Sequence, residues 1–305
     1  SMLVSRQSSL LSPKGLSREE ALKAFRSLSV SDMKKVARRV ISEQRATGFY
    51  YGNLSADTAK QYHRVVDQLN VSDRLKHNHP LELIRIPNKV VEVSIGSDQK
   101  DAAVVSYYQL EDASYHSRVK AMVLASMLRS PMFEQLRTQE QIGYLVHASY
   151  SPKKSWPGIS FIVQSPTHSY DTIVERIHRF ISEYELEKEH FDQSKQSLKL
   201  NLAEPNKTMS QEYGMYAAEI FTKRFNFNHK QNLIDALDQL SFEDVQSLKQ
   251  TLLSKDARHL ILGVNLKDKS LKHESVLTYE QFKHLYGNQI IDAHVDIENE
   301  KVNDE

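Results

Sequence analysis

The chain has 305 residues and a mass of 35.2 kDa, enough for one large domain or two ordinary ones, and 40% hydrophobic residues supply a sizeable core. Forty Lys and Arg against thirty-nine Asp and Glu leave a formal charge of +1, so no global field recruits nucleic acid or an anionic membrane. The absence of cysteine excludes disulfides, thiolate metal sites and a cysteine nucleophile, and makes a reducing setting such as the cytoplasm the expectation.

No apolar run approaches the ~20 residues of a membrane span, so no membrane partner is expected. The first residues lack the apolar block of a secretory signal, and Ser1-Met2 resembles a cloning remnant. Ser17 and Glu20 form a capping-box pattern that starts a helix with Ala21, Leu22, Phe25 and Leu28 on one face. A second helix is predicted over residues 31–43, a strand over 48–54, and a helix from Ser55 with Tyr62, Val65, Val66 and Leu69 inward. Residues 71–80 are polar, with His77 and His79 two apart, and read as a linker carrying the domain boundary.

Beyond the linker, residues 90–95 and 102–110 are β-branched runs that read as a strand pair. A helix follows over 114–128. Alternation of Tyr144, Val146, Ala148 and Tyr150 with Leu145, His147 and Ser149 predicts a strand, and residues 152–158 turn it into a second strand over 159–164. Helices are predicted over 170–184, with Ile173, Ile177, Phe180 and Ile181 inward, and over 188–202, 210–223 and 242–253. A strand over 259–266 and a helix opened by the capping pair Thr278 and Gln281 complete the pattern. The fold class expected is α+β, a mainly antiparallel sheet packed against helices largely on one face. Residues 292–305 carry six acids and one lysine, a flexible acidic tail.

Two segments resemble each other. Ser29 with Asp32, running to Gly52-Asn53-Leu54, matches Ser241 with Asp244, running to Gly263-Val264-Asn265-Leu266. Each reads as a capped helix followed by a strand. The second copy follows enough chain to build a whole domain and the first does not. The expectation is therefore that residues 1–75 are the C-terminal tail of a homologous domain and residues 76–291 a complete one.

Metal chemistry has little support from spacing. Neither H-E-x-x-H nor H-x-x-E-H occurs among the thirteen histidines. His77 and His79 read as solvated loop residues, Glu187, Glu189 and His190 as a helix start suited to its dipole, and Arg176, His178 and Arg179 as a solvated basic face. The nine glycines form no phosphate loop, dinucleotide fingerprint or nucleophile elbow. Lys153 and Lys154 beside Trp156 suit a hairpin tip, or contact with an anion or partner.

The run over residues 133–146 carries more. Phe133, Leu136 and Ile142 read as apolar anchors, Gly143 as the residue that lets the chain turn, and Tyr144 as the start of an extended segment. Arg137 and Tyr144 then stand near one helix-to-strand junction. Both side chains can donate to a peptide carbonyl, and a phenol can steady an oxyanion. The alternative is that Arg137 caps a helix end and Tyr144 packs in the sheet.

This run, continued by Gly158-Ile159-Ser160-Phe161-Ile162-Val163-Gln164-Ser165 and by Tyr216, Ala218, Glu219, Ile220 and Phe225-Asn226-Phe227, resembles the C-terminal half of the insulysin, nardilysin and pitrilysin zinc proteases. The likeness spans nearly the whole chain. That family has four homologous α/β domains in two bowl-shaped halves closing around a peptide. The resemblance implies that residues from about 76 are the fourth domain and those before it the end of the third. It implies that zinc belongs to an N-terminal half, bound by H-x-x-E-H, with no cofactor in this chain. His116 stands alone on the helix where a metal motif would fall.

Carried over by position, Arg137 would hold a substrate carbonyl, Tyr144 would donate to substrate or to the tetrahedral oxyanion, and Gly143 would present Tyr144. The partners implied are the N-terminal half of the same protease and a peptide substrate, without nucleic acid or membrane; a homo-oligomer of the parent stays open. This chain alone is expected to be inactive. The rival expectations are a catalytically dead scaffold relative, of the kind found as respiratory core subunits, and a stand-alone peptide-binding module using a sheet edge.

Overall fold

The structure, a computed structural model, describes residues 2–42, 48–68, 81–97, 100–221, 225–264 and 276–292. The expected linker with His77 and His79 lies outside them, as do Leu69 and residues 293–305 of the acidic tail. Two compact units are present, Ser1–Ser17 with Leu81–Glu204 and Asn226–Glu305, and Arg18–Pro80 with Pro205–Phe225. This division departs from the 75/76 boundary at both ends. Residues 1–17 belong to the larger unit because α1 (Met2–Leu11) buries Leu3, Leu10 and Leu11 in its core.

The larger unit is built on a five-stranded sheet. Its strands are β2 (Val90–Ile95), β3 (Ala102–Gln109), β4 (Leu145–Tyr150), β5 (Gly158–Ser165) and β6 (His259–Val264), in the order β2-β6-β3-β5-β4. β2 pairs β6 in parallel, and the other neighbours are antiparallel. The fold class is α+β, as the alternating runs predict. The expected pairing of 90–95 with 102–110 does not occur, because β6 lies between them. β6 is buried along its whole length and so takes an interior place that needs partners on both edges.

One face of the sheet packs on α5 (Tyr115–Met132), α6 (Tyr170–Glu183), α7 (Lys188–Ala203), α9 (His229–Gln239) and α10 (Phe242–Leu253). The other is covered by α1, α11 (Tyr279–Tyr286) and the small sheet of β1 (Glu82–Ile84) with β7 (Ile290–Asp292). Ile173, Ile177, Phe180 and Ile181 are buried along α6, as their spacing predicts. Helix α9 was not anticipated: only Leu233 and Leu237 of its residues are buried, too thin an apolar signal to read.

The smaller unit holds α2 (Arg18–Ser27), α3 (Val30–Ser42), α4 (Ala56–Asp67) and α8 (Met209–Phe221). The strand expected over 48–54 is absent. A bend at Gly52 (φ 151°) interrupts it, and a strand without a ladder partner has no use for extended backbone. Its aromatics stack on α8 instead, with Phe49 and Tyr213 ring centroids 5.3 Å apart. Tyr62 and Val65, expected to face inward, are exposed, as are Leu22, Phe25 and Leu28 of the apolar face expected on the first helix.

The two capped starts share their chemistry. Ser29 N–H donates to Asp32 Oδ2 at 3.1 Å and Asp32 N–H to Ser29 Oγ at 3.1 Å. The corresponding bonds between Ser241 and Asp244 are 3.0 and 3.1 Å. The likeness holds through the caps and the helices they open, α3 and α10, and ends at the strand, which only the second copy forms among the described residues.

Candidate functional site

Helix α5 does not stop at Met132. Pro131 removes one backbone donor from the ladder, and the chain widens into a π-helical turn over Phe133–Gln139. Glu140 N–H continues the wide pattern by donating to Gln135 O at 2.9 Å, and Ile142 N–H donates to Leu136 O at 2.8 Å. Gln141 between them adopts φ 52°, so the reversal is made there rather than at Gly143.

Gly143 serves a different purpose from the turn expected of it. A Cβ at this position would stand 2.4 Å from Gln164 O and 3.1 Å from Val163 Cγ1. The residue is glycine because β5 passes against its Cα. Next to it, Tyr144 N–H donates to Gln164 O at 3.1 Å, which registers the start of β4 on β5.

The junction is fixed from below by buried Leu136 and Ile142, the anchors expected of the run. Phe133, the third expected anchor, is exposed. Its ring is a platform for Arg137, whose guanidinium carbon lies 5.0 Å from the ring centroid. Arg137 is exposed and donates to no protein acceptor among the described residues. Tyr144 is 49% exposed, and its Oη donates to Asp101 Oδ2 at 3.3 Å. Gln164 Nε2 donates to the same oxygen at 3.2 Å. Desolvation, with the Asp101 carboxylate beside it, raises the Tyr144 phenol above the ordinary tyrosine range.

A clamp that spacing did not reveal holds this junction to α6. Arg176 Nε donates to Glu140 Oε2 at 2.7 Å, its Nη2 donates to Oε1, and Gln135 Nε2 donates to Oε1 at 3.0 Å. The pair is mostly shielded from solvent, and Arg176 holds the Glu140 carboxyl below the usual carboxylate range. Arg176 read as part of a solvated basic face; it is a structural fork. Asp101 was missed for the same reason, since only the β3 to β5 register brings it beside Gln164.

The donors present do not fit a zinc ion. Among the described residues no group of three His, Asp or Glu side chains converges on a metal position. His116 Nε2 lies 3.3 Å from Asp244 Oδ1, and Asp244 is committed to capping α10, its carboxyl lowered first by the Ser241 backbone N–H.

Comparison with known proteins bears on this junction directly. Residues 123–217, which contain it, match the family described as PQQ synthase PqqF-like, C-terminal lobe domain 4. Insulin-degrading enzyme-like 2 of Arabidopsis thaliana is 24% identical over 304 residues, taking in 88% of this chain and 31% of that protein. The Homo sapiens insulin-degrading enzyme is 24% identical over 260 residues, covering 80% of this chain and 25% of that protein. The chain is similar to the C-terminal portion of insulysin- and pitrilysin-type peptidases. The crystal structure of pitrilysin superposes with a TM-score of 0.79 at 17% identity, over 92% of this chain and 31% of that one, a likeness of fold. The family members compared are thus about three times as long as this chain or longer.

Proposed function

We propose that this chain is the non-catalytic C-terminal part of an insulysin-like zinc metalloendopeptidase. It forms part of the wall of a peptide chamber and orients peptide for hydrolysis at a zinc site in an N-terminal half of the same enzyme. The observation that carries this reading is the junction at residues 133–146, where exposed Arg137 and Tyr144 stand on buried supports. A guanidinium without a protein acceptor among the described residues suits a substrate carbonyl. Tyr144 supplies a phenolic donor that exchanges Asp101 for a substrate oxygen or the tetrahedral oxyanion. Gly143 keeps the backbone close to β5 so that Tyr144 stays at the surface.

In this reading residues 1–75 correspond by homology to the end of a third domain and residues 76–291 to the fourth, a division of homologous segments and not of the two compact units. The partners are the N-terminal half and a peptide. Among the described residues no helix is long and apolar enough to cross a membrane. The test is activity of the purified chain on a flexible peptide: none is expected, and chelator-sensitive cleavage by the chain alone would overturn the proposal.

One observation favours a second reading. β4 is the terminal strand of the sheet and begins directly after Tyr144, so its outer edge offers backbone groups to an added peptide strand. Peptide binding by the isolated chain that survives Arg137→Ala would favour this edge module over the chamber wall.

A further inference from the structure

Register places Glu92, Ile261 and Ser106 in one row across β2, β6 and β3, and Val90, His259 and Tyr108 in the next. With α6 packed over them, these residues line a cavity of about 610 Å³, within the range that holds a small organic ligand. Ser106 Oγ and His259 Nε2 are 2.7 Å apart, and the His259 ring stacks on Tyr108 with centroids at 3.9 Å and an interplanar angle of 12°. Burial pushes His259 down to about 3, so the stacked pair is a flat, uncharged floor at physiological pH.

The carboxylates around the cavity are already committed. Glu92 and Asp171 have partners within the chain. Arg179 Nε donates to Glu183 Oε1 at 2.7 Å, and the Glu175 carboxylate also acts on the Arg179 guanidinium. An ion entering the cavity would exchange its hydration water for apolar walls and for charges that are matched without it. The lining therefore favours a neutral molecule. Tyr170, at the start of α6, offers that molecule a polar contact: it lines the cavity, is 5% exposed, and its Oη has no hydrogen-bond partner among the described residues. Burial raises the Tyr170 phenol well above the ordinary tyrosine range, so it stays a donor and is matched by an acceptor.

We propose that this cavity is a binding site for a small neutral aromatic molecule that carries a carbonyl group. The planar body lies between Val174 and Ile177 of α6 and the Tyr108–His259 stack, and the carbonyl oxygen accepts a hydrogen bond from Tyr170 Oη. A cation or an anion of the same shape meets the same walls without a counter-charge. None of the lining residues belongs to the Arg137 and Tyr144 junction, and the site does not depend on the function proposed for it.

Calorimetry and amide NMR on the full chain test this with benzamide as probe and with benzamidine and benzoate as its cationic and anionic counterparts of nearly the same shape. Benzamide is expected to bind saturably at one site and to shift amides of α6 and β6, and both ions are expected to bind about tenfold more weakly or worse. Tyr170→Phe is expected to raise the benzamide Kd severalfold without lowering the melting temperature, since it removes a hydroxyl with no partner among the described residues. Val174→Trp, which fills the cavity from α6, is expected to abolish binding and decides the matter should Tyr170→Phe fail to fold. Either ion binding as tightly as benzamide, a Kd unchanged in Tyr170→Phe or in Val174→Trp, or no saturable binding of benzamide would each overturn the proposal.

Discussion

Tyr144 Oη donates to Asp101 Oδ2 at 3.3 Å, which joins the exposed phenol at the start of β4 to the residue that precedes β3. Desolvation and the Asp101 carboxylate together oppose ionisation of the phenol. Titration of Tyr144, followed by the ultraviolet difference between wild type and Tyr144→Phe, is expected above the free tyrosine range. Asp101→Asn should move the midpoint down. An unchanged midpoint would show that the contact does not form in solution.

The fork between Glu140 and Arg176 should be felt as stability with a defined acid limit. The folded-state carboxyl is depressed, so the contribution is fully present above the unfolded Glu value of roughly 4.3 and is lost as pH falls through the lower folded value. Glu140→Gln is expected to cost about 1 kcal/mol in urea unfolding at pH 7 and to converge on wild type in acid. A deficit that persists unchanged at low pH would assign the loss to packing instead.

Gly143→Ala is expected to destabilise by about 1–3 kcal/mol, because the new Cβ meets the Gln164 carbonyl oxygen and the backbone must move. The displaced bond is the one from Tyr144 N–H to Gln164 O, so hydrogen exchange at Tyr144 should accelerate. A variant as stable as wild type with a protected Tyr144 amide would contradict the close approach.

Lys153 sits at the tip between β4 and β5, 7% exposed, with its amine pushed down to about 8 by burial. Here the folded value lies below the unfolded one, so the unfolded chain binds more protons between about 8 and 10.4 and stability rises with pH across that window. Lys153→Met should therefore be more stable than wild type at pH 7, by roughly 1–3 kcal/mol, with the advantage fading towards pH 10.4. Equal melting temperatures at pH 7 would mean that the amine reaches water.

Local chemistry was legible in the sequence where the signal is itself local. The capping boxes at Ser241 and Thr278 form as their spacing predicts, and the buried stripe of α6 follows from its apolar period. What depends on distant partners was not. Nothing within residues 90–110 announces that β6, more than a hundred residues later, separates β2 from β3. Residues 48–54 have strand composition but no ladder partner. At the junction, Arg137 and Tyr144 were visible as donor-rich side chains, whereas Asp101 and Arg176 reach it only through sheet register and the docking of α6.

The central claim is that Arg137 and Tyr144 serve an active site completed by another half of the enzyme. The direct measurement mixes this chain with an N-terminal half carrying H-x-x-E-H and follows cleavage of a fluorogenic peptide. The account predicts that the mixture cleaves and that neither part does so alone. It also predicts that Tyr144→Phe lowers kcat far more than it raises KM. Cleavage by this chain alone, no gain on mixing, or a Tyr144→Phe loss confined to KM would contradict it.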